Sequence, residues 1–287
     1  MSKKRQSAIF DRLTDRRSCI VSLTHDYAAG HVVPLHFHDR DQLVYASQGV
    51  MTVRTGKGTW VVPTHRAVWI PETIPHSITM SGRVAMRTLY LKARLVRSLP
   101  RDCCVVNVPP LLNELILHIC SSGSLDKKVA WQRHLIDVVI DQLKAIQSVP
   151  LQLPNLSDPK ALKVAEALMA EPGNRRPLAQ ICRGSGATRR TVERLFQEDT
   201  GMTLGKWRQQ LRLMEAMRLL GEGANVTRAA VDAGYATPSA FIAAFRKSLG
   251  TTPSLYFKVS AVERSRDRSR GRAVFRRATP RIRRSFV

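Results

Sequence analysis

Four side chains near the start of this 287-residue chain carry the donor atoms of a metal or small-ligand site: His36, His38, Gln42 and His76. Residues 36, 38 and 42 share parity, so on an extended strand they project from one face. Imidazole nitrogens with an amide oxygen suit a divalent transition metal: nickel, cobalt, iron, zinc or manganese. Every one of these donors is neutral, so a divalent ion would keep its full charge. Such a site holds metal less firmly than one with a carboxylate and favours an anionic or imidazole-like co-ligand. The same groups equally serve a metal-free pocket that hydrogen-bonds an organic effector, or a vestigial site in which the rings satisfy one another through water. His31, just after Gly30, and His65, in the turn before Arg66, read as surface or satisfied residues.

A second set carries a different chemistry. Arg190, Glu193, Arg194 and Gln197 fall at i, i+3, i+4 and i+7, so on a helix they form one exposed stripe. Arg190 and Arg194 are like charges one turn apart, which costs an isolated helix about 0.2–0.5 kcal/mol. A stripe that mildly opposes its own helix, yet matches guanine and phosphate geometry, is better explained by DNA than by solubility.

The histidines need a β scaffold, and the segment supplies one. Cys19–Leu23, Gln42–Ala46, Met51–Arg54, Thr59–Val62, Arg66–Ile70, His76–Met80 and Val84–Leu91 are short β-rich runs separated by Gly, Pro and Asp. Their spacing predicts a sandwich or small barrel. Gly30-(x5)-His36-x-His38-(x3)-Gln42-(x6)-Gly49 resembles the first cupin motif, with Gln where many cupins have Glu. Pro71-Glu-Thr-Ile-Pro-His76 resembles the second, with Thr73 where glycine is usual. The resemblance implies that His76, from another strand, closes the site begun by His36, His38 and Gln42.

The arginine stripe needs a helix presented by a turn. Pro177–Cys182 predicts a first helix, Arg183-Gly-Ser-Gly-Ala a glycine turn, and Thr188 the cap of a helix to about Glu198, with Val192, Leu195 and Phe196 inward. The pattern repeats downstream. Asn225 caps a short helix with a small-residue face (Val226, Ala229, Ala230, Ala233), and Gly234 turns the chain. Thr237-Pro238 starts a second helix with Phe241, Phe245 and Leu249 inward, and Gly250 ends it. Both read as helix-turn-helix units whose second helix suits a major groove. Leu204, Trp207, Leu211, Met214, Met217 and Leu220 define the long helix between them.

Taken together, RTVERLFQEDTGMTLGKWRQQLRL and GYATPSAFIAAFRKSLGTTPSLYF resemble the DNA-binding domain of the AraC/XylS family of bacterial transcription regulators. The likeness spans roughly 100 residues. It implies that both recognition helices enter major grooves, with Arg190, Glu193 and Arg194 at the base-reading positions of the first. In the second those positions are Pro238, Ser239, Ala240 and Ala243. Arg189, Gln197, Thr237, Arg246 and Lys247 complete the DNA-facing set. The second helix offers little to hydrogen-bond with, so it is expected to read thymine methyls, shape or phosphates.

The rest of the chain fits this plan. Pro109-Pro110 opens a helical hairpin, roughly 111–121 and 126–147, whose Leu111, Leu112, Leu115, Ile116 and Ile119 stripe is core or a dimer seam. Val149–Asn155 reads as a proline-bearing linker. The expected organisation is therefore α+β and multidomain. A cupin-like effector- or metal-sensing barrel or sandwich spans 19–108, and a helical hairpin with linker, a candidate for homodimerisation, spans 109–150. An all-α tandem helix-turn-helix domain spans 157–257, and a disordered basic tail 258–287. Residues 1–18 are polar, basic and expected to be disordered.

Net charge of +24 points to a polyanion, with double-stranded DNA first. The excess is +9 over 1–156, +6 over 157–257 and +9 over 258–287. No apolar run reaches the ~18 residues of a membrane span, and no signal peptide or lipid-seeking aromatic helix is legible. Five cysteines without a Cys-x-x-Cys suggest reduced thiols and a cytoplasmic protein.

Three functions compete. The first is a regulator that binds operator DNA and responds to a metal or small-molecule effector, with RNA polymerase as a further partner if it activates. The second is a cupin-type metal-dependent dioxygenase or isomerase fused to a DNA-binding module. The third is a nonspecific nucleic-acid binder driven by arginine. An enzyme needs a proton-transfer group beside the metal, and position 42 is an amide. A nonspecific binder leaves the capped, glycine-turned motifs unexplained. The sequence favours the regulator, with no catalytic residues.

Overall fold

The computed structural model describes residues 17–257 except 94, 98, 146, 147 and 150. The expectations for residues 1–16 and for the tail 258–287 fall outside the described residues. The first half is an antiparallel sheet of β1 (Ile20–Tyr27), β2 (Val32–His36), β3 (Arg40–Thr55), β4 (Gly58–Val62), β5 (Arg66–Ile70), β6 (His76–Lys92) and β7 (Cys104–Asn107). Helices α1 (Pro110–Ser122) and α2 (Ala130–Lys144) follow, with β8 (Ser124–Leu125) in the turn between them. With β9 (Ser148–Val149) at its edge, the strand order is β8-β1-β6-β3-β5-β7-β9, extended by β2 pairing with β6 and β4 with β3. Both helices of the expected hairpin are present, the second spanning Ala130–Lys144 rather than starting at 126. Ser124 and Leu125, between the two helices, pair with β1, so the connection is part of the sheet.

Two long strands replace four expected short ones. β3 and β6 run through Gly49 (φ 84) and Gly82 (φ 72) without ending. A Cβ at Gly49 would overlap the Arg83 carbonyl oxygen and lie 3.1 Å from the Val84 Cα. Glycine therefore lets the strand bend across its neighbour where any other residue would collide. β2 was absent from the expected strands. Pro34 obscures it, and it survives as a sheet edge where proline is tolerated.

The sheet separates two apolar layers by residue parity. Leu43, Tyr45, Trp69, Leu89 and Leu91 face α1 and α2, meeting Leu112, Ile116, Ile119, Ile136, Val139 and Leu143. Leu111 of the expected stripe is exposed. The opposite face carries Tyr27, Val44, Val68, Ile70, Met86 and Val105 inward. Gln42, Thr88 and Tyr90 share parity with that inner set.

The expected linker is ordered sheet. β9 (Ser148–Val149) pairs with β7, and β10 (Gln152–Pro154) pairs with β4. Burial of Leu151, Leu153 and Leu156 accounts for it, since a proline-bearing stretch with such apolar spacing gains more by packing than by staying solvated.

The second half is helical: α3 (Pro159–Ala170), α4 (Leu178–Arg183), α5 (Arg189–Thr200), α6 (Leu204–Gly221), α7 (Val226–Asp232) and α8 (Pro238–Leu249). The capping chemistry is as the sequence indicates. Asp158, Thr188, Thr203, Asn225 and Thr237 each accept a first-turn backbone N–H. Each such cap stabilises its helix by about 1 kcal/mol. Gly201 and Gly250 end α5 and α8 in the left-handed conformation. Ala229, Ala230 and Ala233 are fully buried, and Phe196 packs edge-on against Trp207.

Candidate metal centre and nucleic-acid interface

The β2–β6 pairing sets His36 directly opposite His76. His38 follows β2, and Gln42 lies early in β3. One available nitrogen from each of His36, His38 and His76 lies within 4.8 Å of the others. Among the described residues, this is the one group of three or more His, Cys, Asp or Glu side chains with metal-ligand spacing. His38, Gln42 and His76 are buried and His36 is half-buried. The rings are not stacked: His36 and His76 meet at 56° and His38 and His76 at 72°.

The hydrogen-bond network fixes which atom each side chain turns to the centre. Backbone carbonyls can only accept, so each ring nitrogen near one must carry hydrogen. His36 Nδ1 lies 2.8 Å from the Pro34 oxygen, His38 Nδ1 2.6 Å from the Arg40 oxygen and His76 Nδ1 2.9 Å from the Ile74 oxygen. In the neutral rings all three Nε2 atoms therefore present lone pairs. Gln42 is oriented from further away. Thr88 Oγ1 donates to the Leu43 carbonyl at 2.9 Å and so accepts from Gln42 Nε2 at 3.2 Å. That leaves Gln42 Oε1 at 2.9 Å from His38 Nε2. Two acceptors thus face each other in a buried place. His76 Nε2 is also buried and makes no hydrogen bond.

Such an arrangement calls for a shared positive charge. A proton on the imidazoles is disfavoured, because burial pushes the His38 pKa down and lowers that of His76 to about 3. A divalent cation could use the same lone pairs, its own desolvation being offset by several direct coordination bonds. The residues therefore fit the metal that their motif implies. The carbonyls and Thr88 stand where outer partners would orient the side chains of a metal site.

A pH dependence follows in the metal-free chain. The folded pKa of His76 lies below its usual value, so between about pH 6.5 and 3 the unfolded state binds more protons. Stability is therefore full above pH 6.5 and falls as the pH drops through that window. Urea midpoints measured from pH 7.5 to 4.5 should decline more steeply in the parent than in His76→Phe.

Thr88 was not among the sequence candidates. Its signal was available, since it has inward parity with Tyr90 and Met86, but only the β3–β6 register places it against Gln42. The expectation for Thr88→Val is that the amide loses its orientation while the volume is kept. Loss of an outer partner typically costs 10–100-fold in metal affinity, measurable by calorimetric titration with Zn²⁺. An unchanged affinity would show that Gln42 takes no part.

The nucleic-acid face is separate from this centre. On α5, Arg189, Arg190, Arg194 and Gln197 are exposed and Glu193 is half-buried. Arg189 Nε pairs with Glu193 at 2.9 Å, and one Arg194 nitrogen donates to both Glu198 oxygens at 2.8 Å. Arg190 makes no hydrogen bond or ion pair among the described residues. On α8, Thr237, Ser239, Ala240, Ala243, Arg246 and Lys247 are exposed. Thr237 is committed to capping Ala240. Both helices thus hold their expected contact residues at the surface, and neither contributes to the histidine cluster. His31 stacks on Tyr27 at 4.7 Å and His65 meets Tyr256 edge-on, so neither joins the centre.

Compared with known proteins, residues 19–136 match the AraC-like ligand binding domain and residues 181–258 match a helix-turn-helix domain family. The chain is 33% identical over 223 residues to the HTH-type transcriptional regulator NimR of Escherichia coli K12, covering 78% of this chain and 81% of that protein. It is 32% identical over 104 residues to the HTH-type transcriptional regulator RipA of Corynebacterium diphtheriae, covering 36% of this chain and 31% of that one. The HTH-type transcriptional activator RhaR of Mannheimia succiniciproducens is 34% identical over 80 residues, 28% of this chain and 29% of the relative.

Proposed function

We propose that a divalent transition metal held by His36, His38, Gln42 and His76 is the effector, or part of the effector site, of this chain, which belongs to the AraC family of helix-turn-helix transcription regulators. The chain accordingly has an N-terminal ligand-binding domain and a C-terminal DNA-binding domain. The observation that carries the metal reading is the pair of buried acceptors, His38 Nε2 and Gln42 Oε1, 2.9 Å apart beside the unpartnered His76 Nε2. When bound, the metal would act as a structural ligand and Lewis acid. The chain's own groups orient it through their bonds to carbonyls and Thr88.

The same residues argue against catalysis. The position where a cupin-type enzyme would carry a carboxylate is Gln42, and Asp41 accepts the Glu72 backbone N–H at 3.0 Å. We therefore read the barrel as a sensor. Its partner is duplex DNA, engaged by α5 and α8. RNA polymerase joins as a partner if the protein activates, and α1–α2 offer a surface for a homodimer. No described helix is long and apolar enough to cross a membrane, and reduced cysteines fit a cytoplasmic protein.

The test is calorimetric titration of Zn²⁺, Ni²⁺, Co²⁺ and Mn²⁺ into the metal-stripped full chain, beside Gln42→Glu. The parent is expected to take up one equivalent, and the variant to bind more tightly because it supplies a charge. Absence of uptake by both would refute the metal reading and leave an organic-ligand pocket.

A further inference from the structure

The sensor and reader halves meet in a built contact rather than through a tether. Gly221, the last residue of α6, sits on the sheet where β3 and β6 bend. A Cβ there would overlap the Val50 side chain, 2.7 Å from its Cβ, and lie 3.4 Å from the Ser81 carbonyl oxygen. A Cβ on Gly82 would in turn overlap the Gly221 carbonyl oxygen. Val50 and Ser81 are both buried. A second contact lies beyond α8, where the Tyr256 hydroxyl donates to the Thr64 carbonyl. His65 meets the same ring edge-on at 5.8 Å, and the Arg66 guanidinium lies 5.9 Å from its centroid. The third is the connection itself. β10 is paired to β4, Trp207 of α6 donates to the Pro154 carbonyl at 3.2 Å, and Ser157 donates twice to Asp199 at the end of α5. One unbroken set of buried apolar side chains runs from Val44 and Ile70 through Leu151 and Leu153 to Trp207, Met217 and Phe245.

The strands that carry this dock also carry the pocket. β3 holds Gln42 and Val50, while β6 begins at His76 and reaches the dock at Ser81 and Gly82. Both recognition faces remain exposed in the docked arrangement, so the sheet domain does not cover them. A rearrangement of β3 and β6 at the pocket therefore has a direct mechanical outlet, the seat of α6. A flexible linker would provide none.

We propose that the Gly221–Val50–Gly82 seat, with Tyr256 on the 64–66 turn, is the coupling surface that makes sensor and reader one cooperative unit. Through it, pocket and DNA report on each other. The inference rests on the DNA-binding assignment and not on the identity of the effector. Coupling is reciprocal, so DNA alone can reveal it from the other end.

The experiment is hydrogen exchange of the full chain with and without a duplex recovered by in vitro selection, for the parent, Gly221→Ala and Tyr256→Phe. Alanine is the better helix former, so the first variant challenges the seat without weakening α6. In the parent, DNA should slow exchange severalfold in β3 around 50–53 and β6 around 78–82. In Gly221→Ala that protection should disappear while protection of α5 and α8 persists. Tyr256→Phe, which loses one hydroxyl, should show an intermediate loss and keeps the test open if the first variant folds poorly. Equal sheet protection in all three proteins, or none in the parent, overturns the proposal. A second arm adds Zn²⁺. The parent should change its duplex affinity by roughly 5–150-fold, the usual range of coupling, and Gly221→Ala by less than about twofold with unchanged Zn²⁺ uptake. A parent that binds no Zn²⁺ sinks the metal reading for that ion, and the exchange arm then decides the coupling surface by itself.

Discussion

Replacing His76 by alanine is expected to abolish metal uptake at the histidine cluster and, with it, any metal-dependent change in DNA binding. The ring is fully buried, faces His36 across the β2–β6 ladder, and has a buried Nε2 without a hydrogen bond. Removing a ligand should cost more than the 10–100-fold typical of losing an outer partner. The metal-free fold should be affected far less than this. Truncation leaves a cavity, but it also removes a buried acceptor whose desolvation costs about 1–3 kcal/mol. The contrast separates a ligand from a core residue. Metal at 100 times its dissociation constant should stabilise the parent by about 2.7 kcal/mol and His76→Ala by nothing measurable. Equal metal-induced shifts in both proteins would place the ion elsewhere. His38→Ala should behave like His76→Ala for metal while leaving basal DNA affinity intact, because neither residue lies on the recognition helices.

The second large effect is expected at Arg190. If its guanidinium pairs with a guanine, Arg190→Ala should cost about 1–3 kcal/mol of specific binding. Sequence pattern alone ranked Arg190 and Arg194 together. The structure distinguishes them, since Arg194 is already held by Glu198 and Arg190 has no such partner among the described residues. An exposed pair one turn apart is worth only about 0.3–0.5 kcal/mol, so Arg194 can still turn to DNA, at a small cost. Arg190→Ala also relieves the like-charge contact with Arg194, so thermal stability should hold or rise slightly while DNA affinity falls. Ser239→Ala should lose much less than either arginine, because α8 presents mainly Ser239, Ala240 and Ala243 at its start. Titrations against a selected duplex and a scrambled one settle the assignment. Equal loss on both would assign Arg190 to phosphate instead of a base.

The two halves of the protein differ in how much of them could be read along the chain. Helix-turn-helix units are specified by neighbours: Thr188 and Thr237 cap their own helices, Gly250 ends one, and Phe241 and Phe245 recur at helical spacing. Caps, glycine turns and periodicity act within a few residues, so this half was legible almost entirely. Parity could not place His36, His38 and Gln42 together, because they do not share a strand: His36 ends β2, His38 lies in the turn and Gln42 belongs to β3, so it is the turn that gathers them.

Contacts between distant segments decided the rest. That His76 joins the cluster depends on β2–β6 pairing; the cupin likeness implied only that His76 comes from another strand, and the register sets it opposite His36. The direction of the Gln42 amide depends on Thr88, 46 residues away. Lone-pair orientation on three rings is a local exception: each carbonyl is only two positions away, and its direction follows from the backbone path rather than from residue types. The stretch 149–155 has the composition of a linker, and only the free edge of β4 and the apolar surface beneath Leu151 and Leu153 turn it into a strand. Gly221 looks like an ordinary helix end; its role against Val50 and Gly82 exists only because α6 lands on the bend of two strands from the other half. The sequence by itself determined the local devices, the charge and the donor types. Tertiary structure determined how the donors converge and how the halves meet, because Gln42 with Thr88, and Tyr256 with Thr64, join residues 46 and 192 positions apart.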